Sequence, residues 1–135
     1  MYERVDHVGI AVNELDPALE LYSSRFDCDL LHREVLEGET VEAALVQAGE
    51  DRVEFVAPLV PGTALQRFLD RRGPSLHHVA YEVADIDAAI AALRERGVTM
   101  IDEEARPGID GSRVAFIHPG SGLGVLTEIV EPAHR

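Results

Sequence analysis

The chain has 135 residues, 46% of them apolar and 27% charged, which suits one soluble domain with room for a sizeable core. Twelve basic residues against 25 acidic ones leave a net charge of −13, a field that repels nucleic acid and anionic membrane. No apolar run approaches a membrane span, and the single cysteine, Cys28, excludes an intrachain disulfide. Met1-Tyr2-Glu3-Arg4 lacks the basic and apolar regions of a signal peptide, so a cytoplasmic setting is expected. An anionic small substrate would meet the same repulsive field and would need local cations or a metal.

Residues 5–12 are rich in Val and Ile and alternate weakly, which predicts a strand. Asp16-Pro17 reads as a helix N-cap followed by proline at the first helical position, and Leu15, Leu19, Tyr22 and Phe26 form one helical face. Strands are expected over 28–36, 40–48 and 52–57, with Gly38 and Gly49-Glu50-Asp51 at the turns. This first unit, about residues 5–57, reads βαβββ. Residues 58–75 form a connector in which Thr63 caps a short helix that Gly73-Pro74 stops.

The order then repeats over about 76–131. A strand covers 76–83, Asp85 or Asp87 caps a helix carrying Ile86, Ala89, Ile90 and Leu93, and Gly97 ends it. Strands are expected near 98–103, 112–118 and 124–131. Val5-Asp6-His7-Val8-Gly9-Ile10-Ala11-Val12 reappears as Leu76-His77-His78-Val79-Ala80-Tyr81-Glu82-Val83. At the same offset Leu15 maps to Ile86 and Leu19 to Ile90, so the match runs through the helices. Two copies are too few for a solenoid, and the expected class is α+β. The two modules should make one curved, mixed and mostly antiparallel sheet around a cup, helices outside, in a single domain over 1–135.

His7 and His78 lie 71 residues apart, and Glu54 and Glu128 lie 74 apart, so each copy supplies one His and one Glu. Strand alternation groups His7 with Gly9 and Ala11, and His78 with Ala80. His77 falls on the opposite face, with the bulkier Val79 and Tyr81. Glu54 and Glu128 are set among apolar strand residues, where an unpaired carboxylate is costly. A divalent cation would satisfy two imidazoles and two carboxylates together. A nitrogen and oxygen donor set without thiolate suits Co, Mn, Ni, Zn or Fe(II). Any one of these residues by itself reads more readily as an ordinary strand histidine or glutamate; the matched positions carry the reading.

These motifs resemble the vicinal oxygen chelate superfamily (glyoxalases, bleomycin resistance proteins and dioxygenases). With Val53-Glu54-Phe55-Val56-Ala57-Pro58 and His118-Pro119-Gly120-Ser121-Gly122-Leu123-Gly124-Val125-Leu126-Thr127-Glu128, the resemblance is strongest to its methylmalonyl-CoA epimerase family and covers about 5–131. It implies a homodimer acting on a small acyl-CoA, with divalent metal held by His7, Glu54, His78 and Glu128. It implies epimerisation at C2 through an enolate, with Glu42 and Glu128 as bases on opposite faces. Glu54 stands where the family often has Gln, which makes a four-ligand shell around M²⁺ formally neutral and a weaker electrophile. Gly120 stands where relatives commonly carry Lys. If that Lys holds coenzyme A phosphates, Arg113 is the expected substitute here, and Ser121 is a candidate substrate contact or turn cap. His118, His32 and His134 read as turn or surface residues. The same scaffold also serves glyoxalase I, extradiol dioxygenases and thiol transferases, and metal-free antibiotic-sequestering modules.

Overall fold

The computed structural model describes residues 1–36 and 38–134. Its elements run β1 (Tyr2–Ala11), α1 (Leu15–Ser24), β2 (Asp29–Leu36), β3 (Val41–Ala48), β4 (Asp51–Pro58) and α2 (Ala64–Arg72). They continue with β5 (Ser75–Val83), α3 (Ile86–Glu95), β6 (Arg106–Pro107), β7 (Arg113–Ile117) and β8 (Thr127–Glu131). The α+β class and the repeated βαβββ order are both present. The chain forms two compact units: Val8–His77, and Met1–His7 with the chain from His78 onward. The boundary falls inside β1, so the first strand serves one unit with its start and the other with its end.

In the unit formed by Val8–His77, the strand order is β2-β3-β4-β1. β1 and β4 pair in parallel, with Gly9 level with Glu54, and the other pairs are antiparallel. Apolar residues on one face of these strands, among them Ala44, Val46, Phe55 and Ala57, pack with Leu15 and Cys28. Leu19 and Tyr22 add to that cluster from α1. α1 starts two residues earlier than the Asp16-Pro17 reading: Glu14 is the cap residue and makes no side-chain cap bond. Pro17 is tolerated because the first N–H groups of a helix have no internal partner. Asp16 instead accepts from Arg33 Nη1 at 2.7 Å. At α2 the reading holds: Thr63 accepts from the Gln66 N–H, and Gly73 closes the helix at a φ of 69°.

The other unit repeats the plan, with strand order β1-β5-β8-β7-β6. β5 and β8 pair in parallel, with Ala80 level with Glu128, and β7 is antiparallel to β8. Ile86, Ala89, Ile90 and Leu93 of α3 pack on Val83, Ala115, Ile117 and Ile129. Each fully buried aliphatic side chain there contributes about 1.5–3 kcal/mol. Of the two candidate caps, Asp85 takes the N–H of Ala88. The strand expected over 98–103 does not form: Met100 makes one isolated bridge with Ile117. Asp102 takes the Phe116 N–H with its side chain, a local bond that displaces the ladder, and Pro107 has no N–H to extend it. The last strand begins at Thr127 rather than 124, because Leu123 and Gly124 turn through positive φ. Among the described residues, no helix is long and apolar enough to cross a membrane.

Candidate metal centre

The duplication is visible in strand register. In β1 the residue two places beyond His7 is Gly9, and it is level with Glu54. In β5 the residue two places beyond His78 is Ala80, and it is level with Glu128. The second module therefore sets His78 and Glu128 on adjacent parallel strands, with the small Ala80 between them on the shared face. The opposite faces of those strands carry the residues that pack on α1 and α3.

His7, His78 and Glu128 come together within one unit and are 3%, 5% and 4% exposed. The two Nε2 atoms are 3.2 Å apart and the rings meet edge to face. His7 Nε2 is also 3.2 Å from Glu128 Oε1. The far nitrogen of His7, Nδ1, lies 2.7 Å from Asp6 Oδ2, and Asp6 is itself buried. A carboxylate only accepts, so Nδ1 carries the proton and Nε2 presents a lone pair. His78 can donate to that lone pair from Nε2, but Glu128 Oε1 then has no hydrogen-bond partner at all. Two imidazole nitrogens and an orphaned carboxylate oxygen converging in a buried space fit a divalent cation, which would take a lone pair from each.

Phe116, level with Glu128 on β7, closes the side of His78, with ring centroids 5.6 Å apart at 89°. The Arg106 guanidinium lies 5.3 Å from the Phe116 centroid and its Nε is 3.2 Å from Asp102. His77 is half-buried and stacks edge-on with Phe68, as its parity predicts. Glu54 is buried on β4 in the other unit, level with Gly9.

The remaining candidates lie elsewhere. Glu42 accepts from Arg33 Nη2 at 2.7 Å, and the register with β4 puts it on the α1 face, with Ala57 and Ala44, not the face of Glu54. Arg33 is held charged above its ordinary range by Glu42 first and Asp16 second. Arg113 makes a two-pronged bond to Asp87 of α3, which likewise raises its pKa. Ser121 Oγ accepts the Thr99 N–H, and His118 Nδ1 accepts the Gly120 N–H, so both hold turns. His32 pairs with Glu34 and His134 with Asp110. Asp6 and Phe116 are the residues the sequence reading missed. Alternation sets Asp6 on the face away from His7, and only the burial of an acid in a Val-rich strand could have marked it.

The profile of the Glyoxalase/Bleomycin resistance protein/Dioxygenase superfamily matches residues 6–116. An ethylmalonyl-CoA/methylmalonyl-CoA epimerase from Cereibacter sphaeroides is 30% identical over 131 residues, covering 96% of this chain and 98% of that protein. The crystal structure of methylmalonyl-CoA epimerase from Mycobacterium tuberculosis is similar at a TM-score of 0.93 and 39% identity, covering 98% of this chain and 90% of that one. A methylmalonyl-CoA epimerase in complex with methylmalonyl-CoA and NH4+ is similar at a TM-score of 0.94 and 34% identity, covering 98% and 96%. The chain belongs to the glyoxalase/bleomycin resistance/dioxygenase superfamily and, within it, is a homologue of the methylmalonyl-CoA epimerases.

Proposed function

We propose that this protein is a metal-dependent epimerase that interconverts (2R)- and (2S)-methylmalonyl-CoA in the cytoplasm, as a homodimer of single-domain chains. What carries the reading is the convergence of His7 Nε2, His78 Nε2 and the unpartnered Glu128 Oε1 in a buried space, in a chain homologous to such epimerases. These three residues would hold a divalent ion, Co²⁺, Mn²⁺, Ni²⁺ or Zn²⁺, with Glu54 as the fourth ligand. Bound there, the ion supplies Lewis acidity for the negative charge that develops when the C2 proton leaves. The net charge of −13 makes such a positive centre the natural anchor for an anionic substrate.

The chain's own groups do the rest. Glu128, in apolar surroundings, takes the C2 proton on one face and can return it there. Glu42 is the proposed base for the other face. Its bond to Arg33 and its place on the α1 face mean it must both release Arg33 and turn away from α1 to act. Glu42→Gln tests this: metal binding should stay at the parent level while inversion at C2 falls at least tenfold, and an unchanged rate of inversion removes Glu42 from the mechanism. Arg113, proposed to hold coenzyme A phosphates, must likewise leave Asp87. Arg113→Ala should raise KM if it does so, and leave KM unchanged if it does not. Ser121, bonded to the Thr99 N–H, is proposed to meet substrate through its free hydroxyl proton.

The test of the reaction is to incubate metal-reconstituted protein with (2R)- or (2S)-methylmalonyl-CoA in D₂O and follow deuterium and configuration at C2. Methylglyoxal plus glutathione runs in parallel, since a glyoxalase I would use the same four ligands. Deuterium entry with inversion supports the reading. Turnover of the second substrate pair alone would replace it.

A further inference from the structure

Among the described residues, Asp6 is the buried acid at the centre that no ligand role absorbs. It is 2% exposed, and its Oδ2 is 2.7 Å from His7 Nδ1, on the side of the ring away from His78 and Glu128. Both residues are buried, and the cost of burying a carboxylate there demands a partner. The geometry points to Asp6 as a positioning residue: we propose that it locks His7 in the Nδ1–H tautomer, so that the Nε2 lone pair faces the centre. Its negative charge, one ring away, also attracts a cation held at Nε2. The inference rests on the metal reading proposed above and adds to it a residue that touches neither the metal nor the substrate.

The local fold explains why so close a neighbour can do this. Consecutive strand side chains point to opposite faces, so Asp6 cannot enter the centre beside His7. It can still reach around its own backbone to the outer nitrogen of the ring. A carboxylate behind a metal-facing histidine fixes the ring's orientation as well as its tautomer, and losing such a partner typically costs 10–100-fold in metal affinity. A residue that merely filled space would have no preference for one tautomer and no effect on affinity once the fold is intact.

The test uses the whole chain, parent and two variants, without substrate. In the parent freed of metal, nitrogen NMR of His7 should report the proton on Nδ1; a proton on Nε2 alone overturns the proposal. Asp6→Asn keeps an acceptor oxygen but removes the charge, so the tautomer should persist while Co²⁺ affinity, read by chelator competition, falls about tenfold. Asp6→Leu removes the acceptor, and the fall should approach about 100-fold with the tautomer signal lost. If the leucine variant fails to fold, the asparagine variant and the parent spectrum still decide. A parent that binds Co²⁺ with both folded variants binding it equally well overturns the role of Asp6 alone. A parent that binds no divalent metal overturns the metal reading and this proposal with it.

Discussion

Replacing Glu128 with glutamine measures what the orphaned carboxylate costs the metal-free protein. Glu128 is buried, level with Ala80, and its Oε1 has no hydrogen-bond partner although His7 Nε2 is 3.2 Å away. A buried polar atom in that state costs about 1–3 kcal/mol. Glutamine keeps the shape, removes the charge and brings an N–H that can donate to the His7 lone pair. An unfolding entropy of about 2.1 cal/mol/K per residue gives about 0.28 kcal/mol/K for this chain, so the metal-free variant should melt about 4–10 °C above the parent. Adding metal reverses the order. At a hundred times its Kd, a ligand that binds only the folded state adds about 2.7 kcal/mol, or about 10 °C, to the parent. The variant, with its charged ligand gone, gains less. Calorimetric melts in chelator and then in Co²⁺ give both numbers. A metal-free Glu128→Gln protein that is folded and melts at or below the parent would refute the reasoning.

His78→Ala should abolish Co²⁺ binding in equilibrium dialysis while its metal-free far-UV spectrum stays that of the parent; retained stoichiometric binding would contradict the ligand assignment. Thr63→Ala deletes the side-chain bond to the Gln66 N–H and should cost about 1 kcal/mol, a drop of about 3–4 °C in melting, with metal affinity unchanged. Gly108→Ala would place a Cβ 2.6 Å from both Ser112 Oγ and Val114 Cγ1, so it should destabilise by about 1–3 kcal/mol in denaturant titration. No loss of stability there would mean that the turn beside β7 yields easily.

The strand faces legible in the sequence are those whose signal is periodic. Parity alone separates His78, buried in the centre, from His77, which packs on Phe68. It also sets Ile129 under α3 and Glu128 on the other face. The same parity, carried through to β3 and β7, sets Glu42 and Arg113 on the helix-facing sides, where each meets an opposite charge. The resemblance alone had given those two their roles. Where side chains compete with the backbone, periodicity is silent: Asp102 replaces a ladder bond at 98–103, and α1 starts at Leu15 without a side-chain cap. Asp6 escaped for a related reason, since alternation describes where a side chain starts and not where its tip turns back.

The central claim is that metal held by this His and Glu set makes C2 of methylmalonyl-CoA acidic enough to exchange. The direct measurement is deuterium entry at C2 in D₂O as Co²⁺ is titrated into chelator-stripped protein. The account predicts negligible exchange without metal and a rise that saturates at one ion per chain, absent in His78→Ala. Full exchange in the stripped protein, or none at saturation with metal bound, would contradict it.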